Sequence, residues 1–140
     1  MTTAMLWLRV AMIDPAHDIV QSSSAPLASY LHGVVHRLEG DYWNSKYWFR
    51  QVRDNNLMQT VSSSVAMQIE NEGLLQAANS GLLINDEGLF SPAGFVSVCE
   101  QHLQHKMPSP DQADALTRIA WMEWACLWDF ALKQDSQSPS

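Results

Sequence analysis

The sequence predicts an all-α protein, and three observations carry that prediction. Apolar residues recur at spacings of three and four over most of the chain, as one face of a helix requires. Start signals (Asp14-Pro15, Ala25-Pro26, Asp41-Tyr42, Ser91-Pro92, Pro110-Asp111) and stop signals (Gly40, Asn55-Asn56, Asn79-Ser80-Gly81) cut the chain into helix-length pieces. Alternation of apolar and polar residues is nowhere sustained, so sheet content should be minor. The expectation is one compact domain over residues 1–134, an irregular packing of about six or seven helices, with a polar, disordered tail at 135–140.

Each element follows from local signals. Residues 3–12 form a short apolar segment, helical or extended. Asp14 as N-cap and Pro15 at the first helical position start a helix through Ala16, His17, Ile19 and Val20, which fades in Ser22-Ser23-Ser24. Pro26 opens the next helix, which runs to Glu39, where Gly40 stops it. Asp41 then caps a helix from Tyr42 to about Asp54, broken by Asn55-Asn56. Residues 26–54 are thus a helical hairpin. A weaker helix spans Leu57 to Ala78, because Ser62-Ser63-Ser64 and Gly73 lower its propensity. Residues 81–91 are a loop with two turns or a short hairpin. Ser91-Pro92 starts a helix to about Gln104, and Pro110-Asp111 starts the last, to about Lys133.

That last helix points to the core. At 100° per residue, Leu116, Ala120, Trp121, Trp124, Leu127, Trp128, Ala131 and Leu132 share one broad face, and Ile119, Met122, Cys126 and Phe130 fill much of the rest. A helix apolar nearly all round is buried on several sides, so it is expected to run through the centre of the domain. Its three tryptophans read first as core filling, and second as the wall of a ligand pocket.

Composition narrows the function classes. A chain of 140 residues with 46% apolar residues can bury a core without staples. The formal charge of −7 disfavours nucleic acid and anionic membrane surfaces as partners, since both are held by Lys and Arg; the cluster Lys46, Arg50 and Arg53 is small. Cys99 and Cys126 have no metal-type spacing, which fits a reduced cytosol. The apolar run at residues 4–13 lacks a basic leader, is broken by Arg9 and enters Asp14-Pro15, unlike a signal peptide. No segment reaches membrane-spanning length.

The chemistry concentrates between Ser29 and Arg53. His32, His36 and Glu39 lie within an arc of about 60° on one helix, bordering the apolar face of Leu27, Leu31, Val34, Val35 and Leu38. Two imidazoles and a carboxylate so spaced can share a divalent metal ion, and His17 can join them if its helix packs antiparallel. A hydrogen-bonded network at a helix seam, with Arg37, Asp41 and Asn44 as partners, is the commoner role of such residues. On the next helix Ser45, Trp48, Phe49 and Val52 share one face, the small Ser45 allowing close approach. Trp43, Tyr47 and Arg50 form a stripe on the opposite side. Packing against a further helix is the more economical role for that stripe, because an exposed Trp–Tyr pair threatens solubility. An exposed recognition surface is the alternative.

The corner Gly40-Asp41-Tyr42, with Ser45 and Tyr47-Trp48-Phe49, resembles the helix–turn–helix of tetratricopeptide and Sel1-like repeats. The likeness covers one hairpin, and no second copy follows at a period of 34 to 40 residues, as a repeat array would need. It implies a helical hairpin of an interaction type. The longer string HGVVHRLEGDYWNSKYWFR, with Ala16-His17 before it and Ser91-Pro92-Ala93-Gly94-Phe95-Val96 after it, is similar to a group of small bacterial and fungal proteins. Their pattern runs close to HxxxHRxEGDYxNAKYWFR; Ser45 departs from their Ala, and Ser91 from an Asp. That group has no established activity, so the resemblance implies one shared domain and no site residues.

Two functions from different classes follow as expectations. One is a small cytosolic interaction or scaffold protein that binds a protein or peptide through Trp43, Tyr47 and Arg50. The other is a metal-binding protein or metal-dependent enzyme using His17, His32, His36 and Glu39. No Gly-rich phosphate loop, nucleophile elbow or dinucleotide fingerprint points to a particular reaction.

Overall fold

The structure is a computed structural model that describes residues 1–78 and 81–137. Among the described residues are eight helices and no strand: α1 Thr2–Arg9, α2 Ile13–Gln21, α3 Pro26–Glu39, α4 Tyr42–Gln51, α5 Asn55–Asn71, α6 Leu74–Ala78, α7 Pro92–Gln104 and α8 Pro110–Gln137. The all-α class is as expected. No helix among them is long and apolar enough to cross a membrane. The chain packs as two compact units, one of residues 1–58 with 127–140 and the other of residues 59–126.

In the first unit, α1 packs on α2, α2 on α3, and α3 most extensively on α4. Helix α2 begins at Ile13, one residue before the expected cap, so Asp14 and Pro15 lie in its first turn. Proline is tolerated there because the first four N–H groups of a helix have no intrahelical acceptor. Pro26 stands at the start of α3, and Gly40 ends it with φ +79°, a left-handed conformation that favours glycine. Asp41 caps α4, its carboxylate accepting from the Asn44 backbone N–H and, at 2.7 Å, from the Asn44 amide.

Helix α4 stops at Gln51, earlier than expected. Asn55 and Asn56, read as breakers, instead open α5. The Asp54 carboxylate accepts from the N–H groups of Asn56 (2.9 Å) and Leu57 (3.1 Å), so a capping residue turned a break into a start. At the C-terminus, α8 runs to Gln137. Asp135, expected in a disordered tail, is helical and accepts a 2.7 Å hydrogen bond from the Thr2 hydroxyl. Residues 138–140 of that tail, and Asn79-Ser80, lie outside the described residues.

The second unit holds the other pieces. Gly73, with φ +64°, divides the expected 57–78 helix into α5 and α6. Residues 81–91 fold back as a minimal hairpin with a single antiparallel bridge, Ile84 to Phe90. Inside it the Asn85 side chain accepts from the N–H groups of Glu87 and Leu89. Ser91 caps α7 by accepting from Gly94 N–H at 2.9 Å.

The helix buried on most sides is α3, not α8. Leu27, Ala28, Tyr30, Leu31, His32, Gly33, Val34, Val35 and Arg37 are all buried. Leu38, expected on the packing face, is exposed, because the neighbours of α3 cover another side of its last turn, where Arg37 is buried. In α8 burial follows one seam through Leu116, Ile119, Glu123, Leu127 and Ala131, while Trp121 is 44% exposed and Leu132 also faces solvent. The apolar circumference of α8 therefore overstates its burial.

The α3–α4 contact depends on two small residues. Ser45 is fully buried and its hydroxyl donates to the Gly33 carbonyl at 2.6 Å. A Cβ at Gly33 would meet the Phe49 ring at 2.7 Å, and that ring is itself buried edge-on against Tyr30. Substituting Gly33→Ala should therefore destabilise the protein by about 1–3 kcal/mol, against the usual helix gain from removing glycine. Urea denaturation measures it, and adding Phe49→Leu should recover part of the loss; equal or greater stability of Gly33→Ala alone would disprove the close contact.

Candidate metal centre

Three histidines meet in the first unit. His17 comes from the middle of α2, and His32 and His36 from adjacent turns of α3. One ligating atom from each ring lies within 4.8 Å of the other two. His17 Nε2 and His32 Nε2 are 2.9 Å apart, so one ring carries Nε2–H and the other presents its lone pair. The rings of His32 and His36 stack at 4.9 Å, and that of His17 stands edge-on to both. The structure brings His17 of α2 to the arc of His32 and His36 on α3.

The surroundings of each ring differ. His32 is buried, and the Trp48 indole of α4 lies flat on it, with centroids 3.9 Å apart and planes within 7°. Burial, and then the neighbouring His17 and His36, push its pKa down from 6.5 to about 4. It is neutral at pH 7, with a lone pair that a proton does not occupy. His36 is nearly buried, and its Nδ1 faces two carboxylates, Glu39 Oε2 at 3.3 Å and Asp41 Oδ2 at 3.7 Å. Among the described residues, this Nδ1 is the buried side-chain polar atom left without a hydrogen bond in good geometry. Asp41 is anchored by Asn44, whose amide and N–H hold its carboxyl below the usual carboxylate range.

The expected site residues therefore divide. His17, His32 and His36 converge, whereas Glu39 stands at the back of the His36 ring and is outside the converging group. Trp43, Tyr47 and Arg50 sit on the side of α4 away from the buried Ser45 and Phe49. They are exposed, Trp43 at 75%, and the Trp43 and Tyr47 rings stack at 6.2 Å. The more economical role for that stripe, packing inside the fold, is thus overturned, because that side of α4 is left to solvent. Sequence reasoning missed Trp48 as the ring covering His32, since no periodic signal links a residue on α4 to a particular turn of α3. It also missed Gly33, although a glycine inside a helix is a recognisable sign of close approach.

No protein-family model, no curated protein and no solved structure matches the chain.

In metal-free protein the cluster makes stability depend on pH. The folded pKa of His32 lies below its unfolded value, so the unfolded chain takes up the proton first. The contribution of His32 is complete above pH 6.5 and is lost as pH falls to about 4. Urea denaturation at stepped pH should show unfolding free energy falling through that window, with a shallower fall in His32→Gln. Parallel slopes for the two proteins would refute the assignment.

Proposed function

We propose that this protein binds a divalent transition metal through His17, His32 and His36. The observation that carries the reading is the convergence of three imidazole donors, from two helices, within 4.8 Å. Tetrahedral zinc with Zn–N of about 2.0–2.1 Å needs donor separations of roughly 3.3 Å, so small ring rotations complete the site. Imidazole suits Zn²⁺, Cu²⁺ and Ni²⁺ rather than Mg²⁺ or Ca²⁺, which take oxygen donors. The ion would replace the shared proton between His17 and His32 and tie α2 to α3. A cytosolic setting fits two cysteines, Cys99 and Cys126, that are not joined in a disulfide.

Protein purified without an affinity tag should bind one Zn²⁺ per chain, measured by elemental analysis after dialysis. His32→Ala and His36→Ala should each retain less than a tenth as much. Saturating Zn²⁺ should raise the wild-type melting temperature, because at 100 times Kd a ligand adds about 2.7 kcal/mol. Wild-type protein that retains no metal and does not shift would defeat the reading.

The exposed Trp43, Tyr47 and Arg50 favour a second role, as a surface for a protein or peptide. Helix α4 carries Lys46 and Arg50 and no acidic residue in a chain of net charge −7, so an acidic peptide is the matching partner. Peptides selected on the intact protein should be acidic. Trp43→Ala should weaken their binding roughly 30-fold, as loss of a central aromatic anchor does. Selected peptides indifferent to both Trp43→Ala and Arg50→Ala would exclude this face.

A further inference from the structure

We infer that the three-histidine centre keeps one coordination position for an exchangeable small donor, water or a monodentate anion, and that Glu39 orients His36 instead of filling that position. The inference rests on the metal reading above and goes beyond it. It separates a closed structural ion from an ion that can bind and activate a ligand.

Among the described residues, the group that converges within 4.8 Å holds three histidines and no carboxylate or thiolate. Structural zinc sites are closed by four protein ligands, whereas catalytic sites use three and leave the fourth place to water or substrate. The sequence offered Glu39 as the fourth ligand, and its position argues otherwise. The two nitrogens of an imidazole point away from each other. With Nδ1 of His36 turned toward Glu39 and Asp41, the lone pair for a metal is on Nε2. A neutral ring ligating through Nε2 must carry its proton on Nδ1, and Glu39 Oε2 at 3.3 Å is the nearer of the two carboxylates facing it. The atom without a good hydrogen bond is thus the one that gains a role when Nε2 is committed to a metal.

Asp41 cannot take the fourth place without cost, because its carboxylate caps α4 and accepts from the Asn44 amide. The flanks of the centre are unequal. His32 lies between the stacked Trp48 and His36 rings, while His17 is the least buried of the three. An exchangeable ligand would enter from the His17 flank. A divalent ion held there would supply Lewis-acid chemistry, making a coordinated water more acidic and so a better nucleophile.

The full chain loaded with Co²⁺ reports both questions, since visible absorption counts the bound ion and senses its ligands. Wild-type protein should bind one Co²⁺, and its spectrum should change saturably on titration with azide. Glu39→Gln, which retains an acceptor but removes the charge, should bind Co²⁺ about 10- to 100-fold more weakly and still respond to azide. Circular dichroism melting of the metal-free variant checks that it folds. One bound Co²⁺ with a spectrum indifferent to azide overturns the exchangeable position and leaves the metal reading standing. A wild-type spectrum indifferent to azide that becomes responsive in Glu39→Gln identifies Glu39 as the fourth ligand and also overturns it. Absence of stoichiometric Co²⁺ overturns the metal reading, and the inference with it.

Discussion

The hydrogen bond from the buried Ser45 hydroxyl to the Gly33 carbonyl holds α4 against α3, and the site is arranged around that contact. A buried hydroxyl left without a partner costs about 1–3 kcal/mol, so the bond penalises other registers of the two helices. Gly33 makes the approach possible by leaving room for the Phe49 ring. A glycine inside a helix costs about 1 kcal/mol relative to alanine, and here the closer packing offsets that cost. In this register Trp48 lies over His32, and Asp41, at the N-terminus of α4, comes within reach of His36.

The cluster makes the stability of the fold sensitive to acid. Three imidazoles side by side repel one another once protonated, and burial holds His32 neutral well below its ordinary range. Apolar side chains would fill the same volume without this pH sensitivity. A fold that keeps the rings together sets local rules against one another, as functional sites commonly do. A divalent ion would take the three rings as ligands, with Glu39 and Asp41 supplying negative charge behind one of them.

Several helix boundaries were legible from a local cap or a special backbone angle. Pro26, Gly40, Asp41 and Ser91 act locally, and each stands where its chemistry predicts. Others were misread: Asp14 lies inside α2 and not at its cap, and Gly73 splits one expected helix into α5 and α6. Asn55-Asn56 reads as a break until the Asp54 carboxylate is seen to cap the N–H groups of Asn56 and Leu57. The HxxxH arc was legible because helical spacing places His32 and His36 together, and His17 was a conditional member.

The helical class, the α3–α4 corner and the shared arc of two histidines were therefore written in the chain, because caps, left-handed φ and 3.6-residue periodicity depend only on near neighbours along it. Which faces are covered was settled only by packing in three dimensions. Packing put α3 rather than α8 in the most buried surroundings, left Trp43 and Trp121 in solvent, brought His17 to the arc and set Glu39 behind His36. Those outcomes depend on residues distant in sequence, and the apolar content of a helix does not say which neighbour will cover it.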